Sequence, residues 1–265
     1  MDEYECNIDA EGIAKDIALL SQLTTRVRVY TTDCNLPDMV LDAIKSLNAN
    51  VTLSLGLKMV RNLDVSIKQL SDFKRIITTY PDELIDSVWI GEEPISKGQL
   101  SEFELIGYLD FATGYLERTG KNIPVGTSET GSQWSPNLAD HVSIIGVNIN
   151  PFFGGLEANL STLWTYDFLL EEFVNRLDIR DTTAQLMISE VGWPTEGGEI
   201  GDAKANEDQL QNFMDLWVCN NKDSQVGWYW HTAFDGPNDK DRQWENHWGL
   251  FSNDRLLKNI TIPIC

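Results

Sequence analysis

A strand that ends in a carboxylate and then turns sharply is the feature that most constrains this chain. Residues 187–194 read Met-Ile-Ser-Glu-Val-Gly-Trp-Pro, and residues 87–94 repeat the pattern with Glu92 and Glu93 before their proline. In proteins that alternate strands and helices, functional side chains gather at the carboxyl ends of parallel strands. Two carboxylates on separate strand ends of one barrel can flank a single glycosidic bond. The pattern therefore predicts an α/β barrel that carries carboxylate chemistry.

Seven apolar, β-branched runs along the chain predict strands. They occupy residues 26–30, 51–59, 87–90, 123–127, 142–150, 185–189 and 226–231. Helical patterns lie between most of them, for example at residues 209–217. This alternation indicates parallel βαβ units, and no linker rich in Pro, Gly and Ser divides the chain. We predict a single domain over residues 1–265, an α/β fold of the (β/α)8 TIM-barrel type.

The eighth strand of such a barrel is hard to find. The first clear strand pattern, residues 26–30, already follows a helical pattern with Ile13, Ile17 and Leu20 on one face. Residues 1–10 are a poor strand candidate, so the first strand is either cryptic there or missing. We favour a missing strand, which would leave an exposed edge on the barrel.

The acidic composition narrows the choice of partners. The chain has 41 Asp and Glu against 20 Lys and Arg, which gives a formal charge of −21. This charge repels nucleic acid and anionic membranes but is compatible with a neutral glucan. No run approaches the roughly 18 apolar residues of a membrane span, so we expect no membrane insertion.

Other enzyme classes lack their motifs here. Residues 126–130 fail as a nucleophile elbow because the final glycine is absent. His141, His231 and His247 do not have the spacing of metal ligands, and no glycine-rich phosphate loop is present. We therefore expect neither a metal nor a cofactor. His231 and His247 are predicted to be hydrogen-bonding core residues near the site.

Cysteines and glycosylation sequons favour a secreted protein. The four cysteines are Cys6, Cys34, Cys219 and Cys265. Two disulfides, Cys6–Cys34 and Cys219–Cys265, would tie each chain end to the nearest part of the body, and reduced, buried thiols are the alternative. The sequons begin at Asn50, Asn159 and Asn259. Because residues 1–6 have no apolar signal core, we expect that a secretion signal was removed or lies upstream.

Six ordered motifs together resemble glycoside hydrolase family 17, the β-1,3-glucanase family, and in particular its fungal cell-wall members. They are residues 26–34, 90–95, 147–153, 189–195, 232–237 and 245–251. The resemblance runs from about Ala10 to Cys265 and implies a (β/α)8 barrel that cleaves β-1,3-glucan with retention. A glucanosyltransferase with the same catalytic residues is the alternative within the enzymes. The rival from another class is a non-catalytic glucan-binding protein.

The resemblance implies the two catalytic residues. The family's Gly-Asn-Glu corresponds to Gly91-Glu92-Glu93, which makes Glu93 the acid/base, and the strand end before Gly-Trp-Pro makes Glu190 the nucleophile. Retention requires carboxyl groups roughly 5–5.5 Å apart. For each glutamate, the alternative is a solvated loop charge.

Glu92 departs from the family pattern. The family carries asparagine there, whose amide donates a hydrogen bond to the sugar 2-OH, and an ionised carboxylate cannot donate. Glu92 would also place an additional negative charge near Glu93 and Glu190. This charge would raise the pKa of at least one of these two carboxyl groups. We hypothesise that activity is reduced or shifted towards acid pH.

The resemblance also implies a set of sugar-binding residues. Besides Glu92, they are Tyr30, Asn148, Phe152, Phe153, Trp193, Phe234, Asp235, Glu245 and Trp248. Tyr30 would orient the nucleophile, and Phe152 lacks the hydroxyl of the family's tyrosine. Gly236 stands where the family continues with glutamate, and Lys240 lies one place off a family lysine. A core position is the alternative for Tyr30 and for the tryptophans. The expected partner is a β-1,3-glucan, and we expect a monomer.

Overall fold

The computed structural model describes residues 6–175, 177, 182–236 and 243–265, and strands and helices alternate along it. The helices are α1 (Ala10–Leu20), α2 (Leu36–Leu47), α3 (Leu63–Thr79), α4 (Glu102–Arg118), α5 (Pro136–Ala139), α6 (Ala158–Leu169) and α7 (Glu207–Asn221). The strands are β1 (Arg26–Val29), β2 (Thr52–Leu57), β3 (Ile85–Glu92), β4 (Val125–Glu129), β5 (Ile144–Asn148), β6 (Gln185–Val191), β7 (Glu199–Ile200), β8 (Ala203–Lys204) and β9 (Gly227–Trp230).

All seven predicted strands are confirmed, as β1 to β6 and β9. The small antiparallel pair β7 and β8 was not predicted. Between Cys6 and Thr25 the chain forms α1 and no strand, which agrees with the expectation of a missing first strand over these residues, and residues 1–5 lie outside the described part of the chain.

The chain divides into two compact units. The first comprises Met1–Glu129 and Asn137–Ile145, and the second comprises Thr130–Pro136 and Gly146–Cys265. Strand β5 begins in the first unit and ends in the second. The single domain expected from the sequence stays a prediction.

The first unit is built on the sheet order β1-β2-β3-β4-β5, in which β1 to β4 pair in parallel. Leu53, Leu55 and Val88 have no exposed surface, as expected for parallel strands with both faces covered. Helix α4 begins with a capping box: the Ser101 hydroxyl accepts the Glu104 N–H, while the Glu104 carboxylate accepts the Ser101 N–H.

The second unit contains the sheet order β5-β6-β9, and β6 pairs with β9 in parallel. An aromatic stack joins its two long helices, because Tyr166 of α6 lies 5.8 Å from Trp217 of α7 between ring centroids. Phe213 of α7 stacks on Trp217 in turn, and both rings are fully buried. The predicted helix at residues 209–217 is confirmed and extends to both sides as α7.

Both predicted disulfides are present. Cys6–Cys34 lies in the first unit with Cα atoms 5.6 Å apart, and Cys219–Cys265 lies in the second with Cα atoms 5.3 Å apart. The alternative of reduced thiols is therefore wrong. The three sequon asparagines, Asn50, Asn159 and Asn259, are exposed. No helix among the described residues has the length and apolar character needed to cross a bilayer.

Candidate active site

Glu93 occupies a strained turn at the end of β3. Its φ of 53° lies in the left-handed region, which residues with a side chain rarely adopt. The turn is held by its own hydrogen bonds, since the Glu93 N–H donates to the Ser128 carbonyl at 2.9 Å and the Lys97 N–H donates to the Glu93 carbonyl at 2.8 Å. The Lys97 ammonium lies 3.4 Å from Glu93 Oε2. Backbone strain of this kind is concentrated at functional sites.

Glu92 has a cation partner that the sequence did not indicate. Arg28 Nη2 donates to Glu92 Oε2 at 2.5 Å and to Ser128 Oγ at 2.7 Å. The Arg28 side chain is 3% exposed, and its guanidinium lies over the rings of Tyr30 and Trp89 at 4.8 and 4.5 Å from their centroids. The hypothesis of an acid-shifted activity depends on the negative charge of Glu92. The Arg28 guanidinium compensates this charge, which weakens the basis of the hypothesis.

Glu129, the last residue of β4, is a buried carboxylate that sequence reasoning missed. Its Oε1 accepts the Ile95 N–H at 2.7 Å, its Oε2 accepts the Ser96 N–H at 3.2 Å, and its side chain has no exposed surface. Burial raises the pKa of Glu129 to about 7, although the two backbone bonds oppose the rise and the charges of Glu93 and Glu92 add to it. Residues 126–130 were considered only as a possible nucleophile elbow. A glutamate at the end of an apolar strand is nevertheless a signal from which Glu129 could have been predicted as a site residue.

In the second unit, Glu190 lies at the end of β6 and is 9% exposed. His231 Nδ1 lies 3.5 Å from Glu190 Oε1, so a protonated His231 would form an ion pair with it. The Ser189 hydroxyl donates to Asn148 Oδ1 at 2.7 Å, which ties the end of β6 to the end of β5. His231 lies beside Glu190, but the side chains of His231 and His247 are 27% and 26% exposed, so the prediction that they are core residues is wrong.

The second unit also contains a cluster of aromatic side chains in mutual contact, and these side chains differ in their exposed fractions. Phe152 and Trp193 are fully buried, Trp248 is 3% exposed and Phe153 is 48% exposed. Phe153 lies 5.8 Å from Trp248 and 6.1 Å from Trp244 between ring centroids. Trp244, which sequence reasoning missed, is partly exposed.

Burial argues against direct sugar stacking by Phe152 and Trp193. The Trp193 indole donates to the Lys204 carbonyl at 2.9 Å, and its ring packs edge-on against Phe152 at 5.5 Å. A ring with no exposed face supports its neighbours instead of receiving a sugar. Within this cluster, Phe153 therefore presents the largest exposed face.

Asp235 is held by a lysine from the C-terminal segment. Lys258 Nζ donates to Asp235 Oδ1 and to Thr195 Oγ1, both at 2.7 Å, and the Lys258 and Asp235 side chains are only 10% and 15% exposed. The Phe234 ring packs on Phe251 at 5.8 Å. The Asp235 carboxylate is therefore engaged in an ion pair with Lys258 in this structure.

The remaining predicted residues are placed as follows. Glu245 is exposed, and Lys240 lies outside the described residues. Tyr30, Glu92 and Glu93 belong to the first unit, and all the other predicted site residues belong to the second.

Comparison with known proteins gives the family. The family described as the BtgE/BtgC glycoside hydrolase domain matches residues 2–249. The chain belongs to this BtgE/BtgC family. The glucan endo-1,3-beta-glucosidase btgC of Emericella nidulans is 34% identical to it over 277 residues, which cover 96% of this chain and 42% of the relative. The BtgE/BtgC domain described here therefore spans about two fifths of that relative's length.

Solved structures confirm the fold of this BtgE/BtgC domain. A glycoside hydrolase family 17 beta-1,3-glucanosyltransferase from Rhizomucor miehei superposes with a TM-score of 0.84 at 22% identity, covering 96% of this chain and 92% of that one. An active-site mutant of the Rhizomucor miehei beta-1,3-glucanosyltransferase in complex with laminaritriose gives 0.84 at 21% identity with the same coverage. The TIM-type α/β fold and the resemblance to glycoside hydrolase family 17 are confirmed.

Proposed function

We propose that this BtgE/BtgC domain is a retaining glycoside hydrolase that cleaves β-1,3-glucan by double displacement. The observation that carries the proposal is that Glu93 and Glu190 each stand at the carboxyl end of a parallel strand in a glycoside hydrolase domain. The relative from Emericella nidulans is named a glucan endo-1,3-beta-glucosidase, which supports a β-1,3-glucan as substrate.

The chemistry assigns one step to each carboxyl group. Protonated Glu93 donates its proton to the glycosidic oxygen while the Glu190 carboxylate attacks the anomeric carbon, so the sugar–oxygen bond breaks and a glycosyl-enzyme ester forms. Glu93, now ionised, takes a proton from water, whose oxygen attacks the anomeric carbon and releases Glu190. Retention follows from two inversions.

Each carboxyl group has surroundings that suit its proposed role. The left-handed turn and its backbone bonds fix the direction of Glu93, and Lys97 lies close enough to stabilise the carboxylate that remains after proton donation. Glu190 is 9% exposed, so few water molecules compete for its oxygens. We assign the exposed face of Phe153, supported by Trp248, to stacking on a glucose ring.

The second candidate is transfer to a sugar acceptor in place of water. The structures from Rhizomucor miehei are of a beta-1,3-glucanosyltransferase, which supports this alternative. We further propose that the domain acts as a secreted or cell-wall monomer, consistent with its two disulfides and its exposed sequons.

Incubation of the protein with laminari-oligosaccharides from acid to neutral pH tests the proposal. We expect shorter products, formed first as the β-anomer by NMR, and a loss of about 10⁴-fold or more in kcat for Glu190→Ala because the nucleophile is gone. Longer products would establish transfer, and initial α-anomers would contradict retention. Binding without turnover at any pH would indicate a non-catalytic glucan-binding protein.

A further inference from the structure

The turn that carries Glu93 is fastened to the end of β4. The Glu93 N–H donates to the Ser128 carbonyl. Pro94 has no N–H, and the N–H groups of Ile95 and Ser96 donate to the two oxygens of the Glu129 carboxyl group. Ser128 and Glu129 are the last two residues of β4. Three hydrogen bonds to one strand end therefore hold the backbone of Glu93 itself and of the two residues that follow Pro94.

The buried carboxyl group of Glu129 suits this turn because it offers one oxygen to each N–H group. Glu129 accepts two N–H groups with two separate oxygens, whereas a glutamine in its place would offer one oxygen and would turn an NH₂ donor towards the second N–H. Full burial of a carboxyl group is costly unless its hydrogen bonds are made. The proposed mechanism gives Glu129 no step of its own, so its burial needs another reason.

Glu129 has two neighbouring carboxylates, and each of them pairs with a cation. Glu93 and Glu92 both act on it electrostatically and raise its pKa. Lys97 pairs with Glu93, and Arg28 pairs with Glu92, so each neighbouring carboxylate has its own cation. Glu129 has the two backbone N–H groups in place of a cation.

We infer that Glu129 is a positioning residue for the acid/base: its carboxylate holds Ile95 and Ser96 so that the strained Glu93 points its carboxyl group at the leaving oxygen. This inference rests on the proposed function, because it assumes that Glu93 donates a proton. It predicts that losing the Glu129 carboxylate impairs protonation of the leaving group and spares nucleophilic attack.

Two substrates separate these steps in the full chain. Cleavage of laminari-oligosaccharides needs a proton on the leaving sugar, whereas 2,4-dinitrophenyl β-laminaribioside releases a phenolate that needs none. The quantity compared is kcat/KM, which reports the glycosylation step for both. A displacement of Glu93 of the order of 1 Å can lower the oligosaccharide reaction by about 10²-fold.

For Glu129→Gln, we expect kcat/KM to fall by about 10²-fold for laminari-oligosaccharides at about pH 7.5 and to stay near the wild-type value for the dinitrophenyl substrate. At about pH 5.5 the loss should be smaller, because the wild-type Glu129 is then protonated and resembles the amide. Glu93→Ala provides the reference for complete loss of proton donation.

Glu104→Gln is the matched control. The Glu104 carboxylate also accepts a backbone N–H, that of Ser101 at 2.8 Å, in the same unit, but it caps α4 and does not hold the Glu93 turn. We expect it to leave the ratio between the two substrates unchanged. Glu129→Asp, which keeps the charge but is too short to reach both N–H groups, should show the same selective loss, and circular dichroism verifies the fold of each variant.

Equal losses on both substrates, or no loss in either Glu129 variant, would overturn the inference and leave the proposed function standing. A wild-type protein that cleaves neither substrate would overturn the proposed function and the inference with it. Selective loss on oligosaccharides in both Glu129 variants, as in Glu93→Ala but not in Glu104→Gln, would support the inference.

Discussion

At the scale of single residues, Glu92 neutralises the buried guanidinium of Arg28. Glu92→Asn would leave Arg28, 3% exposed, without its carboxylate partner. Removing one partner of a buried ion pair is far more costly than removing an exposed pair. Because the Glu92 side chain is 19% exposed, we expect the free energy of unfolding to fall by about 2 kcal/mol, measured by urea denaturation.

The matched control for this prediction is Glu11→Gln. Glu11 pairs with Lys15 in α1, and their side chains are 80% and 60% exposed, so the change should have almost no effect on stability. An equally small loss in Glu92→Asn would contradict the prediction.

Glu92→Asn also tests the hypothesis of impaired activity. A higher kcat/KM than wild type would support the hypothesis, and no gain at any pH would refute it.

Individual site residues were predicted unevenly, for a physical reason. Glu93 and Glu190 were predicted because each follows an apolar strand in a recognisable local motif, and their catalytic roles stay a prediction. Arg28 pairs with a residue 64 positions away, and Glu129 holds residues 33 and 34 positions away, so no local pattern indicates the partners of either residue. Trp193 illustrates the opposite difficulty, since tryptophan serves both as a sugar platform and as core, and only its burial distinguishes the two.

At the scale of elements, Gly192 allows β6 and β9 to end side by side. A Cβ atom at Gly192 would lie 2.0 Å from the His231 carbonyl oxygen, which is backbone and cannot move aside without shifting the strand end. We expect Gly192→Ala to lower the free energy of unfolding by about 3 kcal/mol, the upper range for overpacking, as measured by urea denaturation. It should also lower activity, because His231 lies beside Glu190.

Gly107→Ala is the matched control for this glycine. Gly107 lies within α4, and a Cβ there would meet nothing within 4 Å. Alanine favours a helix over glycine, so this variant should gain up to about 1 kcal/mol. Similar stabilities for the two variants would show that the close approach at Gly192 relaxes without cost.

The elements themselves were largely predictable. Continuous β-branched and apolar runs located β1 to β6 and β9, and most residues of β2 to β6 are buried, as expected for strands covered on both faces. The two-residue strands β7 and β8 are too short to leave any periodicity, so they were missed. The Gly-Trp-Pro turn was predicted from its residue types, but the close contact that requires Gly192 involves β9, which is distant in the sequence.

At the scale of the whole molecule, net charge and a buried carboxyl group make stability fall as pH rises. The chain carries a formal charge of −21 at pH 7, and self-repulsion of this kind opposes the compact state. The pKa of Glu129 is raised to about 7 from an ordinary value of 4.5, so between these values the folded chain keeps a proton that the unfolded chain releases. We therefore expect Glu129 to lower the stability of the folded chain as pH rises across this window.

The acidic groups with lowered pKa act in a different window. Arg75 holds the pKa of Asp38 below its ordinary value of 3.8, and the stability from this pair is lost only as pH falls below that value. Above about pH 5, Asp38 is ionised in both states and contributes no slope. The window between about pH 5 and pH 8 thus isolates Glu129 from Asp38.

We expect the free energy of unfolding of the wild type, measured by urea denaturation at several pH values, to fall by up to about 3 kcal/mol between about pH 5 and pH 8. Glu129→Gln cannot titrate, so its curve should be flatter across this range, and only the weaker slope from general charge repulsion should remain. Glu104→Gln should keep the wild-type slope, because Glu104 is fully exposed and its pKa is lowered, not raised. A Glu129→Gln curve as steep as that of the wild type would mean that Glu129 does not retain its proton in the folded chain, and that the slope arises from net charge alone.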